Sequence, residues 1–434
     1  MDASHTDKNC AYAAVNRIRL DDMHPHIYRT KDGGKTWKEI VNGLPNDPIN
    51  VVKEDPERKG LLFAGSERFV NVSFDDGENW QPLRLNMPCT SIRDLIIKDN
   101  DLVVATHGRS FWILDDITPL RQINTSLIKE NAILYTPENA IRVRWDMWSD
   151  TPLPPDEPVG KNPPDGAVID YYIKDKVNGE IMLVISDSSG NIVRHYSSKD
   201  TMYTIGDVNI PLYWVRPQVI LSVDTGSHRF MWDLHYKPLD LPPNYPISAI
   251  YGETAPAYTS PWVMPGNYTV WLTVNGNTIK QPLTVVMDPR VKTSKEDLQM
   301  QFDMTLRCYK SNELVLSGIK DINFLSEQIK TLKPKASKEL ANKLDTLNKR
   351  ISDLMDGSEK YANKGLSSLN GLFQSLLATL QAIDVRPTTQ CIAGVNAVQN
   401  DFVETWKYWT ALKLTCLELN KEITKEGLME LKIQ

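Results

Sequence analysis

The sequence predicts a multidomain chain that is mainly β in its first part and α in its last part. Three observations predict this class: an eight-residue pattern that occurs twice, 43 residues apart, a middle region of short strands and prolines, and four amphipathic segments near the C-terminus. We expect a partial β-propeller of about three blades over residues 1–120. An immunoglobulin-like β-sandwich is expected over residues 121–290, and an antiparallel four-helix bundle over residues 291–434.

The repeated pattern reads Ser/Thr-x-Asp-x-Gly-x-Thr/Asn-Trp and suits a tight turn between two strands. In such a turn the Asp accepts backbone N–H bonds, the Gly takes a positive φ and the Trp packs underneath. We assign a structural role to Thr30, Asp32, Gly34, Thr36 and Trp37 in the first copy, and to Ser73, Asp75, Gly77, Asn79 and Trp80 in the second.

Short apolar runs recur once in each repeat, at residues 11–15, 61–65 and 102–106. We interpret them as the buried inner strands of successive blades. The periodicity ends at Pro119. Because a propeller needs about four to eight blades to close, we expect the missing blades to come from the same parent polypeptide or from another chain.

The middle region combines proline-rich stretches, at 151–158 and 162–164, with alternating strands at 181–185, 192–195, 228–232 and 268–274. Short strands separated by turns favour the sandwich. The segment 236–262 reads as a long loop whose aromatic residues include Tyr245, Tyr251, Tyr258 and Trp262. These rings could stack on sugar rings, but anchoring in the protein's own core is the favoured interpretation.

Helical periodicity begins at Thr293, where Thr293 and Glu296 form a capping-box pattern. Four apolar stripes follow, and Gly357 ends the second of them. The stripes predict a bundle core, although docking to another part of the parent polypeptide or to another subunit stays open.

Composition excludes several classes of partner. The chain has 434 residues and a net charge of −6 without a Lys/Arg block, which argues against nucleic acid and anionic membranes. No apolar run approaches the ~20 residues of a membrane span. The five cysteines are scattered, so we expect no metal site and no cofactor. Residues 1–8 are polar and do not resemble a signal peptide.

No catalytic residues are assigned from the sequence. Glycoside cleavage needs two carboxyl groups roughly 5–10 Å apart, whereas the neighbours in the doublets Asp21-Asp22 and Asp115-Asp116 point apart in an extended chain.

The candidate ligand-binding residues are Arg68, His107 and Arg109, which occupy matching places after the second and third apolar runs. The favoured interpretation, however, is a structural turn that Gly108 stabilises and in which Arg109 pairs with Asp115 or Asp116; ligand binding is the alternative.

Several motifs resemble those of one protein family: both eight-residue turns, the segment 105–116, Trp232-Asp-Leu, Pro265-Gly-Asn-Tyr-Thr269 and Met287-Asp-Pro-Arg-Val291. The chain resembles the C-terminal part of large bacterial BNR/Asp-box repeat proteins, which are related to the sortilin propeller and often labelled glycosyl hydrolases. This resemblance implies a propeller fold and an exported parent that is periplasmic, secreted or on the cell surface.

Two functional hypotheses follow from the residues and the resemblance. The preferred one is a non-catalytic binding or scaffolding module that engages a polypeptide or a glycan through the propeller. The alternative is the C-terminal portion of a glycosidase-like hydrolase of the sialidase superfamily, whose catalytic residues lie upstream. The first is preferred because most of the blades that would carry a sialidase-type site are absent.

Overall fold

The computed structural model describes residues 1–144, 160, 165–202, 204–206, 208, 210–245, 252, 254–359 and 364–433. These residues form several β-sheets followed by a C-terminal helical segment. The predicted order of mainly β and then α structure is therefore confirmed. The proline-rich stretches 151–158 and 162–164 and Tyr251 lie outside the described residues.

Three antiparallel sheets come first along the chain. The first contains β1 (Asp2–Ala3), β2 (Ala11–Ala14), β3 (Ile27–Thr30) and β4 (Lys38–Glu39). The second contains β5 (Ile49–Glu54), β6 (Leu62–Ser66), β7 (Val70–Ser73) and β8 (Gln81–Pro82). The third contains β9 (Ile92–Lys98), β10 (Asp101–Thr106) and β11 (Phe111–Leu114).

The apolar runs found in the sequence correspond to β2, β6 and β10, which lie in the interior of their sheets and not at an edge. All five residues of β6 are buried, because this strand has a neighbour on each side and another sheet on each face. The three runs are thus strands in the interior of their sheets, and their place as inner strands of successive blades stays a prediction. A neighbouring strand on each side explains the apolar composition of the three runs, and only β6 is buried along its whole length.

The three sheets pack in series through two separate cores. Side chains alternate along a strand, so Leu62 and Ala64 join the core shared with the first sheet. Leu61 and Phe63 join the core shared with the third sheet. Burial of each large apolar side chain contributes roughly 1.5–3 kcal/mol. Because the second sheet contributes side chains to both cores, it connects the first sheet to the third.

A short helix, α1 (Thr118–Gln122), leads to two further sheets that share one core. The three-stranded sheet has the order β12 (Ala132–Leu134), β14 (Ala167–Ile173), β17 (Gly226–Trp232). The five-stranded sheet has the order β13 (Ala140–Arg142), β19 (Asn277–Met287), β18 (Gly266–Val274), β15 (Met182–Asp187), β16 (Ile192–Ser197). Only the β13–β19 pair is parallel among these described strands.

The helical segment comprises α2 (Lys295–Leu332), α3 (Lys338–Asp356), α4 (Leu366–Leu380) and α5 (Thr389–Lys425), which share one core. The N-cap of α2 is Ser294, whose hydroxyl accepts the N–H of Asp297, and not the Thr293 of the predicted capping box. Among the helices of the described residues, none is long and apolar enough to cross a bilayer.

The helices are arranged as three columns and not as the predicted antiparallel four-helix bundle. Arg307 bonds to Asn396 and Ser311 to Gln399, so α2 and α5 run parallel. Ser326 of α2 contacts Asn348 of α3, and Gln301 of α2 contacts the Leu380 carbonyl of α4. Helices α3 and α4 therefore follow one another along a single column that is antiparallel to α2.

The junction between α3 and α4 explains why α4 continues the column of α3 and does not turn back. A Cβ atom at Gly365 would lie 2.4 Å from the backbone nitrogen of Gly357, so only glycine allows the two helix ends to meet. Gly357 at the end of α3 and Gly365 before the start of α4 therefore lie in contact. A tight reversal, which the prediction assumed, does not occur there.

Candidate functional site

The loops of the first three sheets fall at two opposite ends. Successive strands reverse direction, so the β2–β3, β6–β7 and β10–β11 loops lie at the same end as the connections between sheets. The two eight-residue turns lie between β3 and β4 and between β7 and β8, at the other end. Arg68, His107 and Arg109 therefore share one end, which is opposite to the end that carries Asp32 and Asp75.

Residues 90 and 91 hold the candidate loops together. The Thr90 N–H donates to the Arg68 carbonyl at 3.1 Å, and the His107 N–H donates to the Ser91 carbonyl at 2.8 Å. The Thr90 hydroxyl lies 3.5 Å from the His107 carbonyl. The structure thus places Arg68 and the 107–109 turn on adjacent loops. With Arg93 at the start of β9, we call Arg68, Arg93, His107 and Arg109 the basic rim.

Arg68 is fixed at its base and open at its tip. Its Nε lies 3.3 Å from the Asp47 Oδ1, and one terminal nitrogen donates to the Asn46 carbonyl at 3.2 Å. The side chain is still 48% exposed, whereas that of Asp47 is 6% exposed. The Asp47 Oδ2 is buried and has no hydrogen-bond partner among the described residues. The contacts with the Asp47 Oδ1 and the Asn46 carbonyl fix the direction of the Arg68 guanidinium.

His107 and Arg109 are both exposed. The Arg109 N–H donates to the Thr106 hydroxyl, and its carbonyl accepts from the Trp112 indole at 3.0 Å. Within the described residues the Arg109 guanidinium has no ion pair. The favoured interpretation of this turn, a bridge from Arg109 to Asp115 or Asp116, is wrong, because β11 carries those residues to the other end of the sheet.

Glu67 is a rim residue that the sequence did not reveal. Its Oε1 accepts from Asn50 at 3.0 Å and from Arg93 at 3.1 Å, while its Oε2 accepts from the Ser91 hydroxyl at 2.6 Å. Burial alone would raise the pKa of Glu67. The hydrogen bonds from Ser91 and Asn50 and the charge of Arg93 outweigh burial and hold this pKa below its usual range. Glu67 is thus ionised, and its hydrogen bonds connect Asn50, Ser91 and Arg93.

The two eight-residue turns have matching hydrogen bonds. In the first, Asp32 accepts from the N–H of Thr36 at 2.9 Å and from its hydroxyl at 2.6 Å. In the second, Asp75 accepts from the N–H of Asn79 at 2.8 Å and from its side-chain amide at 2.7 Å. The Gly34 and Gly77 N–H groups donate to the Thr30 and Ser73 hydroxyls, respectively. Both carboxylates are thus engaged within their own turns.

The two tryptophans of these turns differ in burial. Trp80 is 5% exposed, and its indole N–H donates to the Ile40 carbonyl of the preceding sheet. Trp37 is 41% exposed, contrary to the expected packing beneath the turn. Trp80, in the turn of the second sheet, is covered by the first sheet. The structure describes no sheet before the first that could cover Trp37 in the same way.

The aromatic residues of the 236–262 loop pack mainly against the protein. Trp262 is 9% exposed and joins the two-sheet core, and Tyr245 is 6% exposed. Tyr258 is 39% exposed and stacks on buried His235, with ring centroids 3.8 Å apart. For these residues the contacts favour anchoring over a sugar-stacking surface.

The acidic doublets do not meet at the rim. Asp22 contacts Arg17, His24 and His26, and hydrogen bonds from His24 and then His26 hold its pKa well below the usual range. Burial and the charge of Asp101 raise the pKa of Asp115 at the other end. Across the described ranges, no group of three or more His, Cys, Asp or Glu side chains is arranged to hold a metal ion.

Comparison with known proteins gives only distant likenesses. No protein-family model and no curated protein matches the sequence. Among solved structures, YCF48 bound to D1 peptide is 21% identical over 21% of this chain, with a TM-score of 0.17. A GH74 enzyme of Niastella koreensis is 10% identical over 45% of this chain, and an ancestral GH74 enzyme is 13% identical over 63%, each with a TM-score of 0.23.

The chain spans 30%, 29% and 40% of the lengths of these three structures, respectively. At TM-scores this low the likenesses carry no inference about a ligand or a reaction.

Proposed function

We propose that this chain is a non-catalytic binding module whose basic rim holds carboxylate groups of a polypeptide or glycan ligand. One observation carries the proposal. Arg68, His107 and Arg109 lie on adjacent loops at one end of the sheets, Arg93 lies at the start of β9 beside them, and all four are exposed. A guanidinium presents a planar fork of donors that matches a carboxylate.

Local charge supports an anionic ligand although the whole chain carries −6. The carboxylates that pair with the rim's arginines, Asp47 and Glu67, are mostly buried. One terminal nitrogen of Arg93 donates to the Glu67 carboxylate, yet the Arg93 side chain is 48% exposed. The Arg68 side chain is exposed to the same extent, 48%. The three arginines of the rim, Arg68, Arg93 and Arg109, are therefore cations with exposed side chains.

The state of Glu67 argues for binding over hydrolysis. A glycosidase needs one protonated carboxyl as the acid and a second carboxylate across the bond to be cleaved. Glu67 is kept ionised by its partners, and its depressed pKa makes it unsuited to donate a proton near neutral pH. The rim as described thus supports recognition without bond cleavage.

We further propose that the first three sheets are three blades of a larger BNR-type propeller within an exported parent protein. The contrast between Trp80, which the first sheet covers, and Trp37, which is 41% exposed, supports a missing blade before the first sheet. The missing blades would come from the same parent or from another chain. In that arrangement, this chain would be the C-terminal portion of the parent protein.

The two-sheet unit is proposed to be of the immunoglobulin type. Its sheets have three and five strands, and β13 adds to β19 in parallel at one edge. At the start of β18 the Tyr268 hydroxyl donates to the Met264 carbonyl at 2.6 Å, which is the arrangement of a tyrosine corner. In the proposed module, this unit and the helices serve as a platform for the rim.

An array experiment tests the function. The full chain is applied to glycans with and without uronic or sialic acid residues and to peptides with free or amidated C-termini, at low and high salt. Retention of the carboxylate-bearing members, weakened by salt, is expected. Equal retention of neutral and acidic members would contradict the proposal, and so would release of sugar from any glycan by this chain.

A further inference from the structure

The third sheet lacks a strand that the first two sheets possess. In the first sheet β4 pairs with β3, and in the second β8 pairs with β7. In the third sheet, β11 is the strand that corresponds to β3 and β7. It pairs with β10 on one side. Within the described part of the chain no strand pairs with its other side.

The register shows which backbone groups this edge presents. In the first two sheets the carbonyls of Ile27 and Val70 accept the N–H groups of Ile40 and Leu83, each at 2.8 Å. Each acceptor is the first residue of its strand, and the corresponding residue of β11 is Phe111. Since Thr106 bonds to Ser110, the alternation of the ladder directs the N–H and C=O groups of Phe111 and Ile113 away from β10.

The side chains at this edge are apolar and exposed. Phe111 is 75% exposed and Ile113 57% exposed. Ile113 lies opposite Val103, which lies opposite Ile96 on the next strand, and Ile96 is also 57% exposed. This row and the unpaired backbone groups make the edge suited to strand addition.

We infer that the outer edge of β11 accepts an extended segment of a partner polypeptide as a fourth strand. The segment donates an N–H to the Phe111 carbonyl, as Ile40 and Leu83 do to the matching carbonyls of the other sheets. It places apolar side chains opposite Phe111 and Ile113, which continues the row across the sheet. The site adjoins the basic rim at Phe111, two residues after Arg109, but the inference does not depend on the function proposed for the rim.

A labelled synthetic peptide tests this inference. The probe copies residues 35–44, which contain β4, and a second version replaces its Lys38 with valine. By the register of the first sheet, position 38 would face Ile113 and position 40 would face Phe111. Fluorescence polarisation with the full chain should show saturable binding, and the valine version should bind more tightly.

Two controls examine the backbone pairing. Methylation of the peptide nitrogen at position 40 removes the N–H that would meet the Phe111 carbonyl, and it should weaken binding at least tenfold. In the protein, Ile113→Pro removes an outward N–H that β10 does not use, so the sheet can retain it. This variant should also bind at least tenfold more weakly, whereas Ile113→Thr, which keeps the N–H, should bind better than the proline variant.

Two results would overturn the inference. One is equal binding of the methylated and unmethylated peptides, which needs no protein variant to fold. The other is a concentration-dependent dimer, seen by analytical ultracentrifugation and abolished by Ile113→Pro, because a second copy would then occupy the edge. The variant Arg68→Gln/Arg109→Gln should bind the strand peptide normally, so failure at the rim is distinguishable from failure here.

Discussion

The indole N–H of Trp80 donates to the carbonyl oxygen of Ile40 at a distance of 2.8 Å. This bond joins the second eight-residue turn to the first sheet, and both groups are buried. The repeated turn therefore shapes one sheet and also attaches that sheet to its predecessor.

We predict that Trp80→Phe lowers the free energy of unfolding by about 1–3 kcal/mol, because the buried Ile40 carbonyl loses its donor. Trp37→Phe is the matched control at the same position of the first turn. Since Trp37 is 41% exposed, its substitution should change stability by about 0.5 kcal/mol or less. Urea unfolding of both variants measures the difference, and equal effects would contradict the role given to Trp80.

A second prediction concerns Asp384, which joins the two-sheet unit to the helices. Its buried carboxylate pairs with Arg142 and Arg144. Burial would raise the pKa of Asp384, but the hydrogen bond from Arg144 and the charges of both arginines hold it below its usual range. Asp384→Asn leaves buried Arg142 without its charged partner and should cost about 3–5 kcal/mol in urea unfolding.

The control for Asp384 is the exposed pair of Asp240 with Lys320. Asp240→Asn should cost about 1 kcal/mol or less, because water screens an exposed pair. If both variants lost the same small amount, Asp384 would not fasten the two units together.

The third prediction is the pH dependence that His235 confers. Its Nδ1 lies 2.7 Å from the Asp233 carbonyl and is therefore the protonated nitrogen, while the buried Nε2 has no partner in the described residues. Burial lowers the pKa of His235 to about 3. Between its ordinary pKa of 6.5 and this value, the unfolded chain binds a proton that the folded chain does not.

Stability should therefore fall as the pH falls through this window, by about 2–3 kcal/mol at about pH 4.5 from this group alone. The variant His235→Phe keeps an aromatic ring against Tyr258 but cannot bind a proton. It should be less stable near neutral pH and should lose less stability on acidification. Parallel pH profiles for the two proteins would refute the assignment.

The fourth prediction is the opposite shift at His26. The hydrogen bond to Glu39 raises the pKa of His26, burial opposes it, and contact with Asp22 raises it further. Because the folded pKa is above the ordinary 6.5, the stabilisation is fully present below pH 6.5 and is lost as the pH rises through the folded value. NMR titration of the histidines should show one pKa above 6.5 that disappears in His26→Gln. A pKa at or below 6.5 for His26 would be inconsistent with these contacts.

The sequence predicts the parts of the fold that are encoded locally. Asp32 and Asp75 bond within their own turns, and the pattern of those eight residues contains every group involved. Gly357 ends α3 as its position after the second stripe indicates. The direction of α4 was mispredicted, since the stripe of Leu366 and Leu369 is the same whether the helix turns back or continues along the column.

The rim shows the same limit at the candidate site. Arg68, His107 and Arg109 were found because they follow equivalent strands. Glu67 was missed because its partners Asn50, Ser91 and Arg93 come from other strand ends, with no shared local pattern. Likewise, the burial of Trp80 and the exposure of Trp37 depend on neighbouring sheets, which an eight-residue motif does not report.

Calorimetric titration of the rim tests the central claim most directly. The probes are hexagalacturonate and a hexapeptide with a free C-terminal carboxylate, and the proteins are the natural chain, Arg68→Gln/Arg109→Gln and the control Arg386→Gln on the helical segment. We predict that at least one probe binds the natural chain and the control equally. The same probe should bind the rim variant at least tenfold more weakly, which corresponds to about 1.4 kcal/mol or more. Unchanged affinity in the rim variant, or no binding of either probe to the natural chain, would contradict the account.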